Sequence, residues 1–165
     1  MVFIALVVTS VLLPSLNKTL SSMRISGDAR SIASALTQAK MRAGSTFSRE
    51  QLQIDTTNKT FQLFQKSTSG GSYVSDGGAQ YLKSGVSFGY GSITATAGGQ
   101  STISQSTAVT FNSRGIPITD DTAGNAKSDY AIYINDSSGT YYAITLSLTG
   151  RVQISKYSGG TWVAQ

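Results

Sequence analysis

The feature that most constrains this chain is one long helical pattern that begins apolar and becomes amphipathic. Residues 2–16 are almost entirely apolar, and the first charged side chain is Lys18. Beyond residue 17, aliphatic residues and alanines recur at alternating spacings of four and three, which places them on one face of an α-helix. That face consists of Ile25, Ala29, Ile32, Leu36, Ala39 and Ala43, with Arg24, Asp28, Lys40 and Arg42 off it. The pattern predicts a helix from Val2 to about Gly44, where glycine favours a C-terminal stop.

Such a helix would be about 65 Å long at 1.5 Å per residue, which is more than the rest of a single domain can cover. The protruding half is the apolar half, so it needs a partner. We therefore divide the chain into an apolar stem over residues 1–23 and a globular domain over residues 24–165. The globular domain comprises an amphipathic helix over 24–45 and a β domain over 50–165. The stem residues expected to contact partners are Val2, Phe3, Ile4, Leu6, Val7, Val8, Val11, Leu12, Leu13, Pro14 and Leu16.

The stem is incomplete as either a membrane span or a signal peptide. A spanning helix needs about 20 apolar residues, and Thr9, Ser10 and Pro14 interrupt this segment. A signal peptide has a basic region before its apolar stretch and a small-residue cleavage site, and this segment shows neither. Pro14 cannot donate to the carbonyl of Ser10, so the helix should be weakened between them, as a kink or as a segment that unwinds.

After residue 50 the helical period gives way to the alternation that is typical of strands. Leu52 and Ile54 lie on one arm of a predicted hairpin, and Phe61 and Leu63 lie on the other. Further strands are predicted at Tyr81–Tyr90, Ser92–Thr96, Ala108–Asn112, Ile116–Ile118, Tyr130–Ile134, Thr140–Leu148, Arg151–Tyr157 and Thr161–Ala164. The core is expected to join the helix face to Leu52, Ile54, Phe61, Leu63, Ile132, Ile134, Ile144 and Leu146. The fold class is α+β, a long N-terminal helix packed on a two-sheet antiparallel β domain.

Composition argues against catalysis. The 165 residues include no cysteine and no histidine, so there is no disulfide, thiolate nucleophile, zinc–sulfur site or imidazole base. Glu50 is the only glutamate, and most aspartates lie beside turn-forming residues. We therefore expect no enzymatic activity, cofactor or metal.

Three stretches give the chain a resemblance to a known family. They are VVTSVLLPSL in the stem, ARSIASALTQAKMRA in the amphipathic helix, and FNSRGIPI followed by AITLSLTGRVQISKY near the C-terminus. In this order they resemble the type IV pilin and pseudopilin superfamily, and within it the GspH/FimT-like branch. Members of that family carry a leader and an early acidic residue before the apolar segment. Ala5 cannot replace that acidic residue, so we expect both features upstream of Met1.

The resemblance implies a pilin-like fold and a structural subunit of a bacterial type IV filament, either a pilus or a type II secretion pseudopilus. Such a subunit would lie in the inner membrane before assembly, then in a cell-surface or periplasmic filament with copies of itself and other pilins. One alternative is a minor FimT-like pilin that binds DNA for uptake. Another is a membrane-anchored surface domain that does not polymerise.

The remaining candidate sites each have a simpler structural explanation. Gly150-Arg151-Val152-Gln153 lies where some FimT-like proteins carry a DNA-binding Gly-Arg-x-Arg motif, so Arg151, helped by Lys156, is a possible DNA contact, although Gln153 replaces the second arginine. The simpler explanation, a tight turn with an exposed arginine, is the one we favour. Asp120, Asp121, Asn125 and Asp129 suggest a calcium loop, but their spacing is not that of an EF-hand. Ser15-x-x-Lys18 matches a penicillin-recognising motif only by chance, because no Lys-Thr-Gly follows it.

Overall fold

The computed structural model describes the backbone of residues 2–66 and 71–165, and the side chains of residues 19–66 and 71–165. Helix α1 is Val2–Thr46 and is continuous through Pro14. Among the described residues, no helix has an apolar stretch long enough to cross a bilayer. The described strands are β1 Arg49–Asp55, β2 Thr60–Lys66, β3 Tyr73–Ser75, β4 Gln80–Tyr81, β5 Val86–Phe88, β6 Ala108–Phe111, β7 Pro117–Ile118, β8 Ala131–Asp136, β9 Tyr141–Leu146, β10 Val152–Ser158 and β11 Thr161–Ala164.

The strands form two antiparallel sheets. The six-stranded sheet has the order β3-β2-β1-β6-β7, with β4 also pairing with β2, and the five-stranded sheet has the order β11-β10-β9-β8-β5. The predicted hairpin is β1–β2, in which Leu52 pairs with Leu63 and Ile54 pairs with Phe61. The predicted α+β class, one N-terminal helix on a two-sheet antiparallel β domain, is confirmed.

The C-terminal half of α1 packs against both sheets through the predicted face. Every member of that face, from Ile25 to Ala43, is fully buried. The helix contacts strands of both sheets, including β1 and β6 of one and β8, β9 and β10 of the other. All eight predicted strand residues of the core are buried with it. Helical and strand periods therefore identified one shared core correctly.

The segment over residues 89–107 differs from its prediction. Ser92–Thr96 is not a strand, because this Gly- and Ser-rich segment instead crosses the outer face of the five-stranded sheet. There it covers the fully buried ring of Tyr133, whose hydroxyl accepts a hydrogen bond from the amide of Ala97 at 3.1 Å. The indole of Trp162 donates to the carbonyl of Ala95 at 2.9 Å. A second small core forms under the loop, from Ala97, Ala131, Tyr133 and Ala143.

Asp28 is buried, although the helical pattern placed it away from the buried face. Its Oδ2 atom accepts a hydrogen bond from the backbone amide of Lys83 at 2.9 Å. Burial raises the pKa of the Asp28 carboxyl, and the hydrogen bond from Lys83 opposes that rise. The carboxylate therefore fastens α1 to the loop that precedes β5.

Candidate functional site

The half of α1 that packs on the β domain is fastened at its N-terminal end, at Ser21, by a buried carboxylate. Ser21 Oγ donates to Asp136 Oδ2 at 2.7 Å. Asp136 lies at the end of β8. In the turn to β9 it also accepts hydrogen bonds from the backbone amides of Ser138 and Thr140 and from the hydroxyl of Ser138. Burial alone would raise the pKa of Asp136, but the hydrogen bonds from Ser21, Thr140 and Ser138 together lower it. The β8–β9 turn therefore holds the helix where its apolar half begins.

The upper end of α1 is fastened by two cations. Lys40 Nζ donates to the carbonyls of Thr149 and Gly150, each at 3.1 Å, in the turn between β9 and β10. Arg42 forms an ion pair with Asp76, which follows β3. The helix is thus attached to one sheet through Lys40 and to the other through Arg42. Contacts at Ser21 and at Lys40 and Arg42 therefore fix both ends of the packed half of α1 on the β domain.

The side chains of the predicted assembly stem lie outside the described residues. The backbone of Val2–Leu16 is helical and continuous with the fastened half of α1. The proposed contacts of the stem therefore remain a prediction. Ser15 and Lys18 fall in the same undescribed set of side chains.

A group of cations lies at the upper end of the molecule, around two turns that touch. Gly150 has φ +71°, and an added Cβ there would lie 2.5 Å from the carbonyl oxygen of Gly115. This contact brings together the turns that carry the exposed residues Arg114 and Arg151. Lys40 bridges to the second turn from the helix. In the described part of the chain, none of these three cations forms an ion pair.

Lys156 does not join this group. It lies five residues beyond Arg151 along β10, where side chains alternate between faces of the sheet. It pairs in register with Tyr142 of β9 and Val163 of β11. Sequence analysis missed Arg114 and Lys40 as neighbours of Arg151. The only available signal was that Arg114 and Arg151 each occupy a predicted turn.

The acidic loop that follows β7 uses its carboxylates internally. Asp120 accepts hydrogen bonds from the hydroxyl of Tyr73 and the side-chain amide of Gln51. Asp121 accepts a hydrogen bond from the amide of Gly124 at 2.6 Å, which lowers the pKa of its carboxyl. Asp129 pairs with Lys127 at 3.5 Å, and Asn125 contributes its backbone to the loop. Within residues 19–66 and 71–165, no three acidic side chains gather into a metal site.

Glu50 is a fully buried carboxyl group without a hydrogen-bond partner on either oxygen. It lies on β1, on the same face as the core residues Leu52 and Ile54. Burial, followed by the nearby charge of Asp76, raises the pKa of Glu50 to about 7, while Arg42 opposes the rise. The carboxyl therefore has a pKa in the neutral range, well above that of an exposed glutamate.

Two surface hollows lie on either side of Arg151. One, of about 370 Å³, lies between Ala33 and Thr37 of the helix and Val152 and Ile154 of β10. The other, of about 460 Å³, lies above the β9–β10 turn, and its wall consists mainly of apolar atoms. Neither hollow holds the paired acid and base groups that hydrolysis requires. Both depend on elements far apart in sequence, so no local pattern could reveal them.

No protein-family profile matches the chain, and no curated protein matches it. Solved structures do match. The structure of the minor pseudopilin EpsH from the type 2 secretion system of Vibrio cholerae aligns with a TM-score of 0.55 and 12% identity, over 84% of this chain and 99% of that chain. A crystal structure of the same minor pseudopilin aligns with a TM-score of 0.50 and 14% identity, over 79% of this chain and 91% of the other. At these identities the likeness establishes architecture alone, and it confirms the predicted pilin-like fold.

Proposed function

We propose that this chain is a structural subunit of a bacterial type IV filament, a pilus or a type II secretion pseudopilus, which polymerises through its N-terminal helix. The observation that carries the proposal is the division of α1. One face of its C-terminal half is buried from Ile25 to Ala43, and that half is fastened at Ser21, Lys40 and Arg42. The apolar sequence of residues 2–16 belongs to the same continuous helix, so movement or assembly of the stem would carry the β domain with it.

Burial of repeated apolar stems supplies the driving force in this proposal. Burying one leucine or isoleucine contributes about 1.5–3 kcal/mol, and a filament repeats that gain in every subunit. Before assembly the same segment would lie in the inner membrane, and afterwards in a cell-surface or periplasmic filament. Its partners would be copies of itself and other pilins.

The pseudopilin fold and the composition both support a non-enzymatic role. The fold neighbours are pseudopilins. The chain has no histidine or cysteine, and its only glutamate is buried in the core. We therefore expect no hydrolase activity to purify with the protein. An activity abolished by Asp120→Asn or Asp121→Asn would contradict this expectation.

Charge in the stem provides the test of assembly. Leu6→Asp or Leu12→Asp would place an unpaired carboxylate in an apolar bundle, which is strongly unfavourable. We expect either variant to leave the β domain folded and to remove the chain from sheared filaments, whereas the matched control Leu6→Ile should assemble normally. If the wild-type chain remains a membrane-bound monomer under all conditions, the membrane-anchored domain becomes the better explanation.

The cations at the upper end of the molecule favour DNA binding as a second candidate function. Arg114 and Arg151 are exposed on touching turns, and neither forms an ion pair within the described chain. If they contact phosphates, Arg151→Ala should weaken DNA retention and reduce the slope of log affinity against log salt by about 1. Lys156→Ala is the matched control, because Lys156 lies on the other face of β10. Equal effects of the two substitutions would indicate general attraction to the net charge of +5.

A further inference from the structure

Phe47 combines two features that are unfavourable in an isolated chain. Its side chain is 86% exposed, the largest exposure among the bulky apolar residues in the described regions. It also adopts φ +52° immediately after the end of α1. This left-handed conformation is disfavoured for residues with a Cβ, and helices normally place glycine there. Elsewhere in the described chain, positive φ falls on glycines and on Lys59 alone.

The neighbours of Phe47 constrain the backbone on either side of it. The hydroxyls of Thr46 and Ser48 hydrogen-bond to each other at 2.7 Å across it. Thr46 Oγ1 also lies 2.8 Å from the carbonyl of Arg42, and Gln65 donates to Ser48 at 3.1 Å. A backbone that is already ordered loses less conformational entropy when its side chain binds, so Phe47 is presented as an anchor on a preorganised backbone.

The hollow above the β9–β10 turn has the size and character to receive such a side chain. Its volume is about 460 Å³, whereas a cavity of about 150 Å³ is enough to bind benzene. The backbone of Gly98 and Gly99, together with Leu146, forms part of its mainly apolar wall. Leu148, 54% exposed, and Arg151 also line it. Phe47 of the same copy does not fill the hollow, because that side chain is exposed.

The charges of the two surfaces are also complementary. The last turn of α1, next to Phe47, contains no basic residue, and its carbonyls form the negative end of the helix dipole. The guanidinium of Arg151 lies beside the hollow without a carboxylate partner in the described residues. It could interact both with the helix end and with the face of an inserted aromatic ring.

We propose that Phe47 of one copy inserts into the hollow between Leu148 and Arg151 of the next copy. The two surfaces differ, so the contact is head-to-tail and leaves one free anchor and one free hollow at the ends. Repetition of such a contact generates an open chain or helix. The inference deepens the proposed filament role and rests on it.

Phe47→Gly separates assembly from folding. Glycine removes the anchor and also relieves the left-handed strain. We expect its thermal stability to be equal to or above that of the wild type, while the amount of chain in sheared filaments falls at least about tenfold. Phe47→Trp should preserve assembly. Wild-type assembly of Phe47→Gly would overturn the inference and leave the filament role intact, whereas failure of the wild-type chain to assemble would overturn both.

Because the chain has no cysteine, disulfide cross-linking can test the contact directly in intact filaments. Phe47→Cys and Leu148→Cys, co-expressed in separate copies, should give a cross-linked dimer on oxidation. Both substitutions in one chain should give a ladder. Val163→Cys, 49% exposed, replaces Leu148→Cys as the matched control and should not cross-link. Three results would refute contact between copies. They are filaments that lack the Phe47–Leu148 product, cross-linking of the Val163→Cys control that is as strong as that of Leu148→Cys, and a cross-linked product with a different protein.

Discussion

Replacing Glu50 with glutamine should remove most of the pH dependence of domain stability between pH 4.5 and 7. Glu50 is fully buried on β1, and neither carboxylate oxygen has a hydrogen-bond partner. The charged groups that act on it are Asp76, which disfavours its ionisation, and Arg42, which favours it. Since Arg42 already pairs with Asp76, it compensates little of the cost of burying a second negative charge.

The sign of the effect follows from protonation. Burial, and then Asp76, raises the pKa of Glu50 from an ordinary value of 4.5 to about 7 in the folded protein. Below pH 4.5 the carboxyl is protonated in both states, and stability is at its full value. Between 4.5 and 7 the folded state retains a proton that the unfolded state has lost, so stability falls as pH rises. One pKa unit corresponds to about 1.4 kcal/mol, so the total loss by pH 8 is about 3 kcal/mol.

The assay is urea unfolding of the full chain in non-ionic detergent at pH 4 and pH 8. Trp162, the single tryptophan, packs against Tyr133 and Tyr157 and provides the fluorescence signal. Glu50→Gln should exceed wild-type stability by about 3 kcal/mol at pH 8 and match it at pH 4. Asp129→Asn, at an exposed carboxyl, is the control and should not change the profile. If Glu50→Gln is less stable than the wild type at pH 8, the ionised carboxyl has a stabilising partner and the reasoning is wrong.

Two further changes test how the helix and the turns are held. A fragment lacking residues 1–23 should stay folded and mostly β by circular dichroism, and an unfolded fragment would refute the two-part architecture. Its free energy of unfolding should be about 1 kcal/mol lower than that of a fragment starting at residue 19, because it loses the Ser21–Asp136 hydrogen bond. Gly150→Ala should lower the free energy of unfolding by about 1–3 kcal/mol, since φ is +71° and the added Cβ meets a backbone carbonyl; unchanged thermal unfolding would refute that requirement.

The helix and the main core were predictable because their signals are local. Spacings of three and four from Ile25 to Ala43 define a face directly. Alternation in β1 and β2 likewise defines which side chains point inward, and the structure buries those residues. Thr161–Ala164 was predicted with its observed bounds, because two glycines precede a short apolar run.

The polar and irregular features were not predictable because they depend on distant partners. Asp28 is buried only because the backbone of Lys83, far along the chain, supplies a donor. Tyr133 is covered by a loop without hydrophobic periodicity, so no local pattern predicted the burial of its ring. Arg114 and Arg151 are brought together by two turns that are 37 residues apart. The short strand β3 and its pairing with β2 have no strong sequence signal.

The placement of the buried carboxylates and of the exposed apolar residue Phe47 supports the proposed role in assembly. Two carboxylates fasten α1 to the β domain, Asp28 on the helix and Asp136 at the end of β8, and Glu50 is enclosed in the core. None is presented to a substrate. One bulky apolar side chain, that of Phe47, is exposed immediately after the C-terminal end of α1. The N-terminal sequence of the same helix is also apolar. Contact of exposed apolar groups with another surface lowers the free energy, because it removes them from water. The contacts that hold α1 on the β domain, the exposed Phe47 and the apolar N-terminal sequence of the helix together support the proposed role in repeated assembly.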